Sequence, residues 1–273
     1  MKNIILAKKY GFCFGVKRAI NALEKNKGRA FTLGPIIHNP AVVSAFKRKG
    51  ICPISDFAKT KKGDKIFIRA HGVAENIINK GRKRGLKIID LTCPYVKKSQ
   101  LLALSLEKSG LKVIIIGQKN HPEIVAIAAN LKAPIIISNE KDLSKIKKSD
   151  KLGIICQTTS NVKVTAEIIN ILKKRGSSIK IYDTVCQATR ERQAAAKILA
   201  IKSDLVIVVG GNESSNTKKL KEVCSQYAKT YQIEDEKGLR KNWFKNKKTI
   251  GLTAGASTPN WLIEKVYSKI QRI

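Results

Sequence analysis

The sequence predicts an α/β fold assembled from repeated βα sub-domains. Short runs of Val, Ile and Leu alternate with helical patterns along the 273 residues, as expected for parallel strands that are covered on both faces. Residues 87–93 recur as 180–186, with Lys, Ile, Asp and Cys at the same offsets and a Gln seven positions after each Cys. Cys13 also follows an apolar run and precedes a helical pattern. A repeat of this length is typical of duplicated sub-domains rather than of a solenoid.

Taken in chain order, eleven segments have the pattern of strands. They are residues 3–7, 30–33, 65–69, 87–90, 112–116, 134–138, 151–156, 180–182, 204–209, 230–233 and 248–253. Several helical patterns between them end at a glycine, which is the usual residue just beyond a helix C-terminus. These are residues 41–49, 75–84, 99–109 and 162–175, followed by Gly50, Gly85, Gly110 and Gly176, and a last helix is predicted at 261–270.

The repeat also sets the predicted domain boundaries, because no Gly/Ser-rich linker divides the chain. We predict a first sub-domain at 1–96, which contains Cys13 and ends with Cys93. A second sub-domain, at 97–190, ends with Cys186, and a third occupies 191–273. Each of these three cysteines lies between a strand pattern and a helix pattern, one in each equal third of the chain rather than one in each sub-domain.

The charge balance is strongly basic, with 54 Lys and Arg against 20 Asp and Glu, a net charge of +34. Nucleic-acid binding is one interpretation of such a balance. The lysines are scattered, however, and no finger, ribonucleoprotein or basic-zipper motif accompanies them. A basic solvated surface is therefore the preferred interpretation, and its field favours anionic substrates and acidic protein partners.

The apolar runs indicate the compartment. Residues 4–7 are too few for a signal-peptide core, and no run approaches the length of a membrane span. We therefore expect a cytoplasmic protein without a membrane segment. The six cysteines lack C-x-x-C or finger spacing, and in the cytoplasm they would be reduced or metal-bound.

Polar residues concentrate in the loops that follow predicted strands, where open α/β sheets bind ligands. These loops are residues 34–40, 69–73, 117–123, 157–160, 210–216 and 254–259, and they contain all three histidines. Each hydroxyl residue taken alone is equally well explained as a helix N-cap. Their coincidence with the histidines and cysteines favours an anion site, because the N–H groups of helix starts bind phosphate well.

The cysteines divide into two groups. Cys13, Cys93 and Cys186 precede helix starts, where a thiolate is stabilised and can bind metal. The other three, Cys52, Cys156 and Cys224, have apolar or helical neighbours and are predicted to be buried small hydrophobic residues. Three soft thiolates suit an iron–sulfur cluster with one open iron. A structural Cys₃His zinc site, in a basic nucleic-acid-binding protein, is the alternative.

Nine motifs, taken together and in order, resemble the 4-hydroxy-3-methylbut-2-enyl diphosphate reductases, the LytB family. They are residues 11–19, 32–40, 69–72, 92–96, 120–123, 157–159, 186–189, 214–216 and 253–259. The resemblance covers essentially the whole chain. Gln187 and Asn260 depart from the family pattern, and neither is a proposed ligand.

The resemblance implies a fold and an activity. The fold is three βα sub-domains in a pseudo-threefold cloverleaf around one central [4Fe-4S] cluster, held by Cys13, Cys93 and Cys186. The activity is the last step of the methylerythritol phosphate route to isoprenoids. Two electrons and two protons convert the allylic alcohol diphosphate to isopentenyl and dimethylallyl diphosphates plus water. An acidic one-electron donor, a ferredoxin or flavodoxin, is expected as partner of a monomeric enzyme.

The resemblance also assigns residues to roles. Those that would hold the diphosphate are His38, His71, His121, Ser214, Ser215, Asn216 and Ser257. Glu123 is implied as the proton donor, with Thr158 orienting the substrate hydroxyl and Thr189 close by. The helix start at Pro122 favours the ionised carboxylate of Glu123. A bound diphosphate and an electron-rich cluster would raise its pKa.

Overall fold

The computed structural model describes residues 2–146, 151–175 and 178–273. Within them the chain forms parallel strands that alternate with helices, as predicted. The strands are β1 (Asn3–Leu6), β2 (Ala30–Leu33), β3 (Ile51–Ile54), β4 (Lys65–Ile68), β5 (Lys87–Asp90), β6 (Lys112–Ile116), β7 (Ile135–Ile137), β8 (Lys151–Cys156), β9 (Ser178–Tyr182), β10 (Leu205–Val209), β11 (Lys229–Ile233) and β12 (Thr249–Ala254).

Most helices begin at the end of the loop that follows a strand. They are α1 (Phe14–Glu24), α2 (Pro40–Arg48), α3 (Glu75–Lys83), α4 (Pro94–Lys108), α5 (Pro122–Ala128), α6 (Val162–Arg175), α7 (Gln187–Ile201), α8 (Ser215–Ser225) and α9 (Asn260–Gln271). The predicted stop at Gly176 lies outside the described residues. No helix in the described ranges is both long and apolar enough to cross a membrane.

All eleven predicted strands are confirmed, and the sequence analysis missed β3. Strand β3 contains Pro53, which has no N–H group to donate to a neighbouring strand. It is tolerated because β3 lies at the edge of its sheet and pairs only with β2. A proline inside a short apolar segment thus concealed a real edge strand.

The strands form three parallel four-stranded sheets with one shared topology. Sheet A has the order β1-β12-β10-β11, sheet B has β3-β2-β4-β5, and sheet C has β7-β6-β8-β9. In sheets B and C the first strand in sequence, β2 or β6, is an inner strand, and the second, β3 or β7, lies at the edge beside it. The third strand, β4 or β8, is the other inner strand, and the fourth, β5 or β9, lies at the opposite edge. Sheet A has the same order when β1 is taken as its fourth strand. The prediction of three βα sub-domains is therefore confirmed.

Strand β1 joins the sheet of the C-terminal third, whereas the predicted 1–96 sub-domain contained it. It pairs with β12 along Asn3 to Leu6, which completes sheet A with the strand that precedes Cys13. The N-terminal strand thus occupies the position that β5 and β9 hold in their sheets. Sequence order alone could not show this pairing, because β12 lies at the other end of the chain.

The contacts divide the chain into two compact units. The first unit contains the chain up to Lys17, Ile37–Ser44 and Gln187–Ile273, and with them sheet A. Its helix α7 packs Ala196 and Leu199 against the β10 side chain Val206. The α7 helix thus covers the sheet that follows it in sequence.

The second unit contains Arg18–Ile36 and Ala45–Cys186, and with them sheets B and C. Helix α4 leaves sheet B after Cys93 and packs Leu106 against Val113 and Ile155 of sheet C. It crosses β8 at Gly153, where an added Cβ would lie 2.9 Å from the Cβ of Leu106. The absence of a side chain there allows the helix to approach the sheet.

We expect Gly153→Ala to destabilise the protein because Leu106 is almost fully buried and has no room to retreat. Overpacking of this kind typically costs about 1–3 kcal/mol. Denaturant unfolding should measure the loss. Lys151→Ala, at an exposed position of the same strand, is the control and should change the free energy of unfolding by less than about 0.5 kcal/mol. Equal stability of the two variants would contradict the packing argument.

Candidate functional site

Each of the three predicted ligand cysteines immediately precedes the first residue of a helix. Cys13 precedes α1, Cys93 precedes α4 and Cys186 precedes α7. None of the three forms a disulfide, and all three are partly exposed. The prediction that each of these cysteines precedes a helix start is confirmed.

The same backbone hydrogen bond holds each of these cysteines. The amide N–H of Cys13 donates to the carbonyl of Ala256 at 3.2 Å, within the first unit. In the second unit the amide of Cys93 donates to Ala70 at 2.9 Å and that of Cys186 to Thr158 at 3.1 Å. Each acceptor lies two residues beyond the end of the strand paired with the cysteine's own strand, namely β12, β4 or β8. The three cysteines therefore have one local geometry, repeated.

The repeated aspartates shape the turn before two of the cysteines. The carboxylate of Asp90 accepts from the amide of Thr92 at 2.9 Å, and that of Asp183 accepts from Val185 at 3.2 Å. Burial raises the pKa of Asp90, but the hydrogen bonds from Thr92 and the contact with Lys97 outweigh burial and lower it. The carboxylate of Asp90 is thus suited to stay charged, and both aspartates hold a tight turn.

Two arginines that the sequence analysis did not single out fix the loops that carry cysteines. In the first unit the buried guanidinium of Arg192 donates to the carbonyl of Gly11 from Nε and Nη2, at 3.2 and 2.8 Å. In the second unit Arg18 donates to the carbonyl of Thr92. Each bond is made one or two residues before a cysteine. The available signal was an arginine five residues after Cys13 and another six residues after Cys186.

The remaining cysteines were predicted to be buried, and the structure confirms two of the three. Cys156 and Cys224 are fully buried, and burial raises the pKa of the Cys224 thiol to about 12. Cys52 is exposed, so that prediction is wrong. It lies on the edge strand β3, where Ile51 is buried and the next side chain points to the other face.

The buried carboxyl of Glu123 is bonded on both oxygens by one residue. The amide of Thr158 donates to Oε1 at 2.7 Å, and the hydroxyl of Thr158 donates to Oε2 at 2.6 Å. Both side chains lie in the second unit and are buried, with Glu123 only 1% exposed. Burial raises the pKa of Glu123 to about 7, although the two bonds from Thr158 act to lower it. The carboxyl can therefore carry a proton near neutral pH.

The ring of His121 adjoins this pair. It caps α5, where its Nδ1 accepts from the amide of Glu123 at 3.2 Å. A neutral ring that accepts at Nδ1 carries its proton on Nε2 and presents a donor there. His71 meets His121 edge to face, with ring centroids 5.4 Å apart. The second unit thus brings together four of the predicted site residues, Glu123, Thr158, His121 and His71.

A second group of predicted residues meets in the first unit, at the carboxyl ends of β10 and β12. The hydroxyl of Ser257 lies 3.3 Å from both the hydroxyl of Ser214 and the carbonyl of His38. The amide of Ala256 donates to Oδ1 of Asn216 at 2.9 Å, whereas Nδ2 of Asn216 is buried and has no hydrogen-bond partner among the described residues. Ser215 is also buried, near the start of α8.

One further predicted residue, Thr189, is buried in the first turn of α7. It belongs to the first unit, as does His38. The backbone of His38 requires a glycine beside it, since a Cβ on Gly211 would lie 2.4 Å from the His38 carbonyl oxygen.

One loop of each sheet contains a glycine at a fixed spacing before a predicted site residue, and this spacing is visible in the sequence. His38, His121 and Ser214 each lie four residues after a glycine, namely Gly34, Gly117 or Gly210. The amide of each glycine donates to the last residue of the neighbouring edge strand, at 2.8, 3.0 and 2.8 Å. The three loops therefore start alike.

The chain is similar to known proteins over essentially its whole length. A family model described as LytB protein matches residues 4–271. The chain belongs to the LytB family. The Aquifex aeolicus protein named 4-hydroxy-3-methylbut-2-enyl diphosphate reductase is 39% identical over 282 residues, covering 100% of this chain and 97% of that protein. A Campylobacter jejuni protein of the same name is 39% identical over 272 residues, covering 98% of each.

Solved structures of LytB-family enzymes are similar too. The structure of the Plasmodium falciparum E-1-hydroxy-2-methyl-but-2-enyl-4-diphosphate reductase has a TM-score of 0.93 at 31% identity, covering 98% of this chain and 87% of that one. A structure of (E)-4-hydroxy-3-methyl-but-2-enyl diphosphate reductase, described as the terminal enzyme of the non-mevalonate pathway, has a TM-score of 0.70 at 39% identity and full coverage of both chains. The predicted family, and with it the predicted class of reductase, is confirmed.

The raised pKa of Glu123 leads to a pH-dependent stability. Because the pKa rises from 4.5 to about 7 on folding, the folded protein holds this proton more tightly than the unfolded chain does. The resulting stabilisation is fully present below about pH 4.5 and is lost as the pH rises through about 7, on the order of 3 kcal/mol in all.

Glu123→Gln stays neutral, so we expect it to be more stable than the parent protein at pH 8 and to have no such advantage at pH 4.5. Urea unfolding of both proteins at the two pH values should measure this. A difference between the proteins that does not change with pH would contradict the raised pKa.

Proposed function

We propose that the chain reduces 4-hydroxy-3-methylbut-2-enyl diphosphate to isopentenyl and dimethylallyl diphosphates, with loss of the hydroxyl as water. Membership of the LytB family supports the substrate and the reaction class. The observation that carries the proposal is the buried pair of Glu123 and Thr158. It joins a carboxyl that titrates near neutrality to a hydroxyl that can pass its proton on.

Cys13, Cys93 and Cys186 are proposed to hold one [4Fe-4S] cluster. The donor set fits this group, because three cysteines outside any disulfide, each at a helix start, offer soft sulfur ligands, and each backbone is held by the same amide hydrogen bond. Three ligands leave one coordination position for substrate. When bound, the cluster supplies the electrons and the Lewis acidity of an open iron.

The diphosphate is proposed to bind the donors in the loops at the carboxyl ends of the strands. These are His38, His71, His121, Ser214, Ser215, Asn216 and Ser257. The buried Nδ2 of Asn216 supports this role, since a buried donor without a partner is costly unless a ligand accepts from it. The N-terminus of α8, which Ser214 caps, adds backbone N–H groups and a favourable dipole. Fixed donors of this kind neutralise an anion without reorganising.

Glu123 is proposed as the general acid, acting through the hydroxyl of Thr158. Their 2.6 Å contact allows Thr158 to receive a proton from Oε2 and to present its own to the leaving hydroxyl of the substrate. The buried Thr189 is proposed to lie beside the substrate. Hydroxide is a poor leaving group, so a protonated carboxyl is what the bond cleavage needs.

The electron donor is proposed to be an acidic ferredoxin or flavodoxin. The chain lacks the Gly-x-Gly-x-x-Gly fingerprint of a pyridine-nucleotide site, and its charge of +34 would attract an acidic protein. The cytoplasmic location and the monomeric state stay predictions. No observation in the described residues favours the alternative of a nucleic-acid-binding zinc protein.

We expect Cys13→Ser, Cys93→Ser and Cys186→Ser each to abolish turnover and deplete iron and sulfide, because each removes a cluster ligand. Anaerobic iron and sulfide analysis should find about four irons per chain in the parent protein. Cys52→Ser and Cys224→Ser are the matched controls and should keep the iron. Full iron content and turnover in Cys93→Ser would contradict the ligand assignment.

The variant Glu123→Gln tests the general acid. It keeps the shape and the contact with Thr158, but it has no proton to give, so kcat should fall by roughly 10²–10⁴-fold. Its iron content should equal that of the parent protein. Single-turnover kinetics with a chemically reduced enzyme should measure the loss. A variant that turns over at the parent rate would remove Glu123 from the mechanism.

Electrostatic steering predicts how the donor reaction depends on salt. The second-order rate of reduction by an acidic donor should fall steeply as ionic strength rises, since screening shortens the field of the basic surface. Stopped-flow reduction at several salt concentrations should measure this, with a small neutral dye as the control. A rate with the acidic donor that does not change with salt would argue against steering.

A further inference from the structure

A cavity of about 660 Å³ opens in the second unit, at the carboxyl ends of β2, β3 and β4. We call it the Arg69 cavity. Its described lining comes from the end of β2, residues 55–58, Arg69 and the exposed face of α3. Its volume lies within the range of about 300–1,000 Å³ that is usual for small-molecule sites.

The position of the Arg69 cavity is one where parallel sheets bind ligands. Strand β2 lies between β3 and β4 in sheet B. The chain leaves β2 for β3 on one side and then crosses to β4 on the other side. Such a reversal of strand order creates a crevice at the carboxyl edge, and ligands bind there in open α/β sheets.

The charged groups of the cavity are mostly cationic. Arg69, Lys80 and Arg84 line it, with Asp56 as the one carboxylate among the described lining residues. The carboxylate of Asp56 is already occupied, because it accepts from the amide of Ala58 at 2.7 Å and the hydroxyl of Ser55 at 3.3 Å. No ion pair joins Asp56 to a cation of the cavity in the part of the chain that the structure describes. The cavity therefore keeps an excess of positive charge.

Arg69 is the most constrained of the three cations. Its Nε is buried and has no hydrogen-bond partner among the described residues. Its guanidinium lies against Gly34, where an added Cβ would be 2.7 Å from Nη1. Gly34 also has a φ of +73°, which a side chain would strain. The fold thus makes room for a partly buried guanidinium, and no carboxylate among the described residues pairs with it, although an unpaired buried cation is costly.

Four apolar side chains form much of the remaining lining of the cavity, which also includes Ser55. These apolar walls are Leu33, Phe57, Val73 and Ile77. A small inorganic anion would satisfy the cations and leave these walls in contact with water. An organic anion with a short hydrocarbon portion would satisfy both parts of the lining.

We propose that the Arg69 cavity binds a small organic phosphate: a phosphate or diphosphate group on the three cations, and a short hydrocarbon chain against the apolar walls. Arginine favours phosphate because its planar fork of donors matches two phosphate oxygens. None of the lining residues belongs to the proposed diphosphate position of the active site. The turn from Arg69 to Gly72, closed by a hydrogen bond of 2.9 Å, also carries His71, so an occupant would contact the base of an active-site loop.

Geranyl monophosphate is a suitable probe, titrated calorimetrically into the anaerobically purified holoenzyme. The double variant Lys80→Met/Arg84→Met removes two cations from exposed positions. It also removes a hydrogen bond of 3.3 Å from Arg84 to the carbonyl of Phe57, so an unchanged melting temperature is the check that its fold is preserved. We expect it to weaken binding of the probe by at least about tenfold. Lys83→Met, also exposed on α3 but outside the cavity lining, is the matched control and should bind like the parent protein.

Two further measurements separate the contribution of the apolar walls to binding from that of the phosphate group. Ile77→Trp fills the apolar part of the cavity from an exposed position and should also weaken the probe. Geranic acid, which replaces the phosphate by a carboxylate, should bind more weakly than geranyl monophosphate.

The proposal is overturned if the parent protein and the double variant bind the probe equally. It is also overturned if Ser214→Ala, and no cavity variant, weakens the probe, because the probe would then occupy the proposed active site. Stronger binding of geranic acid would overturn the phosphate class. Turnover of the proposed substrate is measured separately, so failure of the cavity and failure of the proposed function are distinguishable.

Discussion

One backbone hydrogen bond, made three times, is the constraint on which the candidate site depends. The amide of each cysteine that we propose as a ligand donates to a carbonyl two residues beyond the end of the adjacent parallel strand. This bond fixes the position at which the chain turns from strand to helix, and it places each cysteine directly before a helix. Asp90 and Asp183 shape two of the turns, and Arg18 and Arg192 secure the carbonyls before Cys93 and Cys13. The backbone of each cysteine is thus fixed at the carboxyl end of its own sheet.

Burial decides the chemistry of Glu123. From its sequence position alone, the start of α5 favours an ionised carboxylate, and only bound anions would raise its pKa. The structure adds a larger effect, because the carboxyl is 1% exposed and desolvation raises its pKa to about 7 even with both bonds from Thr158. The cost of burying the charge is thus the physical reason why this carboxyl can hold a proton in neutral solution.

Repetition made much of the fold and the site predictable. The 93-residue repeat around Cys93 and Cys186 predicted equivalent strand–turn–helix units, and their sheets have one topology. The motifs predicted the family, which the comparisons confirm. Predictions failed where a residue's environment came from outside its own segment. Pro53 concealed strand β3, because proline is tolerated at a sheet edge and the edge position cannot be read from the segment itself. Cys52 is exposed because it lies on the same edge strand, on the face opposite to the buried Ile51.

The amino-acid sequence was sufficient to predict the βα pattern, the position of three cysteines before helix starts and the types of residue in the loops after the strands. Hydrophobic periodicity and helix-start signals are local, so they can be read without knowing what lies opposite. Three features depend on the tertiary structure. Strand β1 completes the sheet of the C-terminal third, and Thr158 bonds both oxygens of Glu123. Arg69 lies partly buried against Gly34, with no carboxylate partner in the part of the chain that the structure describes. Each of these pairs residues distant in sequence, and only packing determines which distant groups meet and which are removed from water.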